Sequence, residues 1–260
     1  LLRLDIGIFI LHMVLTATFV VVPLALRDRA GLESHHHWWV YLPVLLVSLA
    51  AMVPLVVAAE KRRMMKQIFA GSVFTLACAQ LLLVETSNTV AGIAISLLLF
   101  FTAFNALEAT LPSLIAKTAP PDKKGTAMGV YSSFQFSGAF VGGMAGGAIH
   151  GYAGIDGVFV FSGLGLIVWL GLALTMRNPR YLSSQLLRVG PVDERRAGQL
   201  VAELTAIRGV AEAVVIPEDQ VAYLKVDSKA LDHEELARLR RELGTDDGMS
   251  ADPLTSGSGG

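Results

Sequence analysis

Six apolar stretches, each near the length that crosses a lipid bilayer, fill the first 176 residues and constrain this chain more than any other feature. They read as 4–26, 38–59, 67–84, 90–116, 124–150 and 155–176. An α-helix rises 1.5 Å per residue, so about 20 apolar residues cover the roughly 30 Å hydrocarbon core. No water there satisfies backbone N–H and C=O groups, so helices are the expected form of such stretches. Pro23, Pro43, Pro54 and Pro112 lie inside them, which membrane helices tolerate where neighbours satisfy the freed backbone groups. Composition agrees: 53% of the 260 residues are hydrophobic and 17% charged, against about a quarter charged in a soluble domain.

The charges are unevenly placed. Twelve of the 21 Lys and Arg fall in residues 1–180 and nine in the last 80, so a membrane part precedes a smaller soluble one. Between the spans, one side collects Arg3, Lys61, Arg62, Arg63, Lys66, Lys117, Lys123, Lys124, Arg177 and Arg180, while the other has Arg27 and Arg29. Ten against two predicts that the first side is cytoplasmic, together with both ends of the membrane part and the soluble tail. The chain opens at Leu1 without an initiator Met and enters its first span at once, which reads as a fragment. The closing Thr-Ser-Gly-Ser-Gly-Gly reads as a flexible tail or linker. The net charge of −1 carries no basic bias, and no nucleic-acid partner is expected.

Within the fourth span lies a carboxylate, Glu108. An ionisable group in hydrocarbon costs at least a few kcal/mol, so it is expected to face a bundle interior or a water-filled cavity. Thr102, Asn105, Glu108 and Pro112 follow at spacings of three, three and four and share one helix face. That stripe reads as lining a transport pathway; the alternative is a structural carboxylate bonded to a neighbouring helix. In the fifth span Gly138, Gly142 and Gly146 form one ridge, with Gly143, Gly147 and Gly151 beside it. Such small-residue ridges let another helix backbone approach closely, for static packing or for sliding.

Other features carry less chemistry. His35-His36-His37 precedes Trp38-Trp39 at the outer mouth of the second span, the tryptophans reading as an interfacial belt. Adjacent histidines do not converge on one ion along an α-helix, so a solvated loop is expected and no metal site. The single cysteine, Cys78, excludes a disulfide framework and reads as a small buried hydrophobe. No cofactor site and no enzyme are expected: the membrane part lacks a nucleophile–base set, a zinc-ligand pair at helical spacing and a phosphate loop. The inner loops hold Glu60 with Arg62 and Arg63, and Asp122 with Lys124 and Gly125. Both sets also suit the positive-inside signal and helix capping.

Three stretches carry a family resemblance: Gly7-Ile-Phe-Ile-Leu-His-Met13, Phe104-Asn-Ala-Leu-Glu-Ala-Thr-Leu-Pro-Ser113 and Lys124-Gly-Thr-Ala-Met-Gly-Val-Tyr-Ser132. To about residue 242 the chain resembles the C-terminal six-helix half of a major facilitator superfamily transporter, among bacterial drug–proton antiporters with an extra cytoplasmic domain. The resemblance implies a bacterial inner-membrane location and a twelve-helix whole, whose N-terminal half comes from the same or another chain. It implies proton-coupled efflux of small, drug-like molecules, with Glu108 as the titrating group and Asn105 as its hydrogen-bonding neighbour. It also places Glu60, Arg62, Arg63, Asp122, Lys124 and Gly125 in gating loops. Phe100, Phe101, Phe104, Met128, Tyr131, Phe134 and Phe136 are candidate cavity-lining residues.

After Pro179 the pattern changes period. Residues 182–189 suit a strand and 193–208 an amphipathic helix with Ala197, Leu200, Leu204 and Ile207 on one face. Residues 212–216 and 221–226 flank Pro-Glu-Asp-Gln as a hairpin. A second helix covers 233–243, with Asp232 as its N-cap. Strand–helix–strand–strand–helix is a ferredoxin-like plan without its last strand. The expected organisation is therefore a six-helix membrane part over 1–180, an α+β domain over 181–243 and a tail over 244–260. This fold resembles heavy-metal-binding domains, but their Cys-x-x-Cys is absent and no cysteine occurs after Pro179, so metal binding by this domain is not expected. An alternative function is a membrane-embedded sensor or scaffold whose soluble domain binds a ligand or partner without transport.

Overall fold

The computed structural model describes residues 1–120, 123–176, 182–227 and 230–243. The chain divides into two compact units, Leu1–Arg180 and Tyr181–Gly260.

The first unit is helical. α1 (Leu2–Leu24) continues into a π-helical turn, Ala25–Arg29; a short 3₁₀ turn, Ser34–His36, leads into α2 (Trp38–Lys61). α3 (Met65–Thr86), α4 (Val90–Thr118) and α5 (Lys124–Leu174) follow. All five long helices have the length and apolar character to cross a membrane. α4 starts where Thr89 Oγ1 accepts from Gly92 N at 3.1 Å, an N-cap that satisfies one of the free donors of the first turn. It ends at Thr118 because Ala119, ahead of Pro120, is extended at φ −67°, ψ 145°, as the ring of a following proline demands.

The 51 residues of α5 would run about 77 Å as one straight helix, far more than a bilayer requires. Gly154, at φ 68° and ψ −166°, breaks it into arms 124–153 and 155–174. Only glycine enters that region of backbone space without penalty. The sequence predicts separate spans ending at 150 and starting at 155; the helix instead persists to the glycine, and one residue makes the reversal.

Contacts between helices fix their directions. The first arm of α5 runs parallel to α1, with Gly138 against Phe9, Gly142 against Met13 and Gly146 against Ala17. The second arm runs antiparallel to it, with Gly165 near Met13 and Trp169 over Gly7. α1 is enclosed accordingly: Ile8, Leu11, Val14, Ala17, Val21 and Val22 are fully buried. α2 is the opposite case. It buries only Val40, Val44, Ser48 and Ala59, while Leu46, Leu49 and Val53 are more than half exposed. An apolar exterior of this kind suits contact with lipid or another apolar surface.

The second unit is a three-stranded antiparallel sheet with two helices: β1 (Ser183–Arg188), α6 (Glu194–Ala206), β2 (Val210–Ile216), β3 (Val221–Val226) and α7 (His233–Glu242). The strand order is β1-β3-β2, with Ser183 opposite Val226 on one side and Ile216 opposite Val221 on the other. Leu187, Leu200, Leu204, Ala222, Leu224 and Leu236 form its core. Asp193 caps α6 and Asp232 caps α7 through bonds from Arg196 N and from Glu234 N and Glu235 N. The tail expected over 244–260 lies outside the described residues.

Candidate functional site

Glu108, in the second half of α4, meets a histidine from α1 and a glutamine from the first arm of α5. The His12 Nε2 atom lies 3.5 Å from Glu108 Oε1 and 2.9 Å from Gln135 Nε2. Its other nitrogen, Nδ1, is 3.3 Å from the Ile8 carbonyl, one turn earlier in α1. Phe104, one turn before Glu108, packs against the imidazole with ring centroids 5.7 Å apart.

The surroundings are enclosed but not sealed. The His12 side chain is 13% exposed and that of Glu108 31%. The Glu108 exposure is uneven, because its Oε1 is buried without a hydrogen-bond partner. A buried carboxylate oxygen left without a partner costs about 1–3 kcal/mol or more, so this oxygen calls for a proton, a water molecule or a partner group. The Tyr131 hydroxyl, also buried without a partner, stands within electrostatic range of Glu108 and of Asp5. Asp5, near the start of α1, is 5% exposed and has a buried, unbonded Oδ1.

This arrangement accommodates a proton in two ways. A neutral His12 that donates from Nδ1 to Ile8 accepts the Gln135 amide N–H at Nε2. A protonated His12 donates from both nitrogens, and Nε2–H then faces the Glu108 carboxylate, with the amide turned to present its oxygen. The two states differ by one proton and a side-chain rotation.

The polar stripe read from the sequence divides in the structure. Asn105 turns to α2, donating from Nδ2 to Ser48 Oγ at 3.3 Å, so its partner is a buried serine rather than Glu108. Thr102 is half-buried on the same helix. Phe100, Phe101 and Phe104 cluster ring to ring. Phe136 does not join them and is 73% exposed.

The candidate loop residues form contacts at the helix ends. Lys117 Nζ lies 2.7 Å from both carboxylate oxygens of Glu60, and Ser113 Oγ donates to the same group at 3.0 Å. Glu60 thus ties α2 to α4. Arg62 is exposed; Arg63 is half-buried and takes a positive φ of 55°. Lys124 opens α5 half-buried, Gly125 is exposed, and Asp122 lies outside the described residues. At the opposite side, Arg29 donates to Asp156 (2.5 and 2.9 Å) and to Ser87 Oγ (2.7 Å), joining the end of α1, the end of α3 and the start of the second arm of α5.

Of the two glycine ridges, one is filled. A Cβ at Gly138 or Gly142 would collide with the carbonyls of Phe9 and Met13, and one at Gly146 would lie 2.9 Å from Ala17 Cα. A Cβ at Gly143, Gly147 or Gly151 would meet nothing within 4 Å. The second ridge faces away from the described residues. Thr16 seals the first one, its hydroxyl donating to Ala139 O at 2.9 Å.

His12 and Gln135 are the site residues that the sequence reading did not single out, whereas Tyr131 is among its candidate cavity residues. A signal for both exists: His12 is the one imidazole of the first span and Gln135 the one carboxamide of the fifth. Which of several such residues meet is a matter of helix packing.

Residues 4–217 match the family described as Major Facilitator Superfamily. The chain is 39% identical over 242 residues to the inner membrane transport protein YajR of Escherichia coli (strain K12), covering 93% of this chain and 53% of that protein. It is 27% identical over 170 residues to an uncharacterized transporter of Buchnera aphidicola subsp. Baizongia pistaciae, covering 64% of this chain and 43% of that one. A second Buchnera relative, the uncharacterized transporter BU466 of subsp. Acyrthosiphon pisum, is 26% identical over 140 residues, covering 54% and 36% of the two chains. The chain therefore spans about half the length, or less, of the curated relatives it matches.

Proposed function

The chain belongs to the major facilitator superfamily, and on that premise we propose that it is the C-terminal half of a proton-coupled secondary transporter of the bacterial inner membrane. Its substrates are small, drug-like molecules moved outward in exchange for protons. The missing partner is a six-helix N-terminal half, on the same or a separate chain. The observation that carries this reading is the Glu108 carboxylate oxygen, buried, unbonded and 3.5 Å from His12 Nε2. Glu108 and His12 hold the coupling proton, Gln135 follows it by rotation, and Asn105 positions α4 against α2.

Transport through such a protein requires its two halves to rock about a central site. The remaining exposure of Glu108 supports a carboxylate opening onto that space. Glu60 with Lys117 and Ser113 would act as an inner latch, and Arg62, Arg63, Asp122, Lys124 and Gly125 as the loops around it. The name of the Escherichia coli relative supports the inner-membrane location. The charge asymmetry supports placing the Arg3, Glu60 and Lys117 end in the cytoplasm. The β1-β3-β2 order with α6 and α7 supports a ferredoxin-like soluble domain over 181–243.

The test is the Glu108→Gln change in the chain joined to a six-helix N-terminal half and reconstituted in proteoliposomes. Folding is checked by elution as a single species, and flux of a cationic dye is driven by a pH gradient. Loss of gradient-driven flux with intact substrate counterflow is expected. Undiminished coupling in the variant would sink the assignment of Glu108.

A further inference from the structure

We propose that Glu33, His35 and His36, in the turn between α1 and α2, bind one divalent transition-metal ion of the zinc, nickel or copper class. The inference is independent of the transport reading. Neighbouring residues on an α-helix are fanned about 100° apart, which is why the sequence alone argues for a solvated loop. The backbone here is not α-helical. Residues Ser34–His36 form a 3₁₀ turn, closed by His36 N donating to Glu33 O at 2.9 Å. At three residues per turn, positions i and i+3 eclipse, so Glu33 and His36 come onto one face.

The ligating atoms of Glu33, His35 and His36 all lie within 4.8 Å of one another. His35 Nε2 is 3.5 Å from Glu33 Oε2, and the His35 and His36 rings are 3.8 Å apart at their centroids. Donors bound at 2.0–2.2 Å to one ion stand about 3.4 Å apart in a tetrahedron and about 4.2 Å apart across a square plane. Small side-chain rotations bring the present separations into that range. Two imidazoles and one carboxylate form a donor set for borderline ions, in contrast to the all-oxygen sets that hold calcium or magnesium.

His37 has a different task. It is 8% exposed, its Nε2 is 3.0 Å from Leu32 O, and its ring stands edge-on to Tyr41 with centroids 6.1 Å apart. That contact holds the turn against the start of α2 and orders the three ligands before an ion arrives. Glu33 and His35 have side chains 73% and 67% exposed, so the site is open to solvent and water completes the coordination. Exchange of these residues leaves the packed helices intact, since none is part of the buried interior.

The structure supplies a reporter. The Trp39 ring lies 4.3 Å from that of His36, whereas Trp169 is 1% exposed against Phe69 and Gly7. Copper(II) or nickel(II) at the site should quench Trp39 emission. The experiment titrates the purified full chain in detergent with Cu²⁺ and Ni²⁺ and repeats this with His35→Ala, His36→Ala, Glu33→Gln and Trp39→Phe. Expected are saturable quenching at one equivalent, reversal by excess EDTA, and at least tenfold weaker binding in each histidine variant. Because the Trp38 ring lies 6.0 Å from that of Trp39 and shares the quenching, Trp39→Phe should lose part of it while retaining nitrogen couplings from two imidazoles in the Cu²⁺ electron paramagnetic resonance spectrum. Equal affinity in wild type and both histidine variants, or a Cu²⁺ spectrum without imidazole couplings, would overturn the proposal.

Discussion

Replacing Gly142 by alanine adds one methyl group at the tightest approach between α1 and α5. The new Cβ would overlap the Met13 carbonyl and the Thr16 hydroxyl, and Thr16 is the residue whose hydroxyl bonds across to Ala139 O at 2.9 Å. The obstruction is backbone on one side and a short, committed side chain on the other, so neither can swing away as a long side chain would. Relief requires the two helices to separate. Overpacking of this type costs about 1–3 kcal/mol, and loss of an interhelical hydrogen bond within a membrane bundle adds about 0.6 kcal/mol. Against this, alanine gains up to about 1 kcal/mol over glycine in helix propensity. The net expectation is a loss of roughly 0.5–2.5 kcal/mol. Gly143, the next residue, provides the control. A Cβ there meets nothing within 4 Å, so Gly143→Ala keeps the propensity gain and is neutral or stabilising by up to about 1 kcal/mol. The assay is reversible unfolding of the chain in mixed micelles, followed through Trp169, which sits in the same packed interior. Equal stability of the two variants would refute the argument that the first ridge alone is in contact.

Two further outcomes follow from named contacts. A double-mutant cycle on Arg29→Ala and Asp156→Ala should give a coupling of about 1 kcal/mol in unfolding, at the upper end for an exposed pair because the contact is bidentate and joins three helix ends; additive losses would remove that role. Asp232→Ala should destabilise the second unit by about 0.5–2 kcal/mol, since it deprives the first turn of α7 of its cap, and hydrogen exchange over 233–242 is the readout.

The sequence by itself determined what is local or solvent-driven in this protein. The number and length of the apolar spans follow from the bilayer's thickness and from the need to satisfy backbone groups inside it. The cap at Asp232 and the hairpin after Ile216 involve residues within a few positions of one another. So does the buried face Ala197, Leu200 and Leu204, for periodicity alone places those side chains together, while Ile207 reaches the same core from the extended residue that ends the helix. The reversal in α5 is also local, although the sequence spread it over several residues and the backbone concentrates it at Gly154.

Tertiary structure decided everything that depends on which faces meet. Two glycine ridges look alike in sequence, yet only the one that met α1 is filled. Glu108 announces itself by its charge, but its partners, His12 and Gln135, come from helices about 96 and 27 residues away, at a distance set by close packing. Asn105 shares a helix face with Glu108 and still bonds elsewhere, because a 3.6-residue repeat only approximately aligns positions three apart. The turn Ser34–His36 makes the same point at shorter range. The histidines read as a divergent run until a tighter helix, pinned by His37 to Leu32, brings Glu33, His35 and His36 to one place.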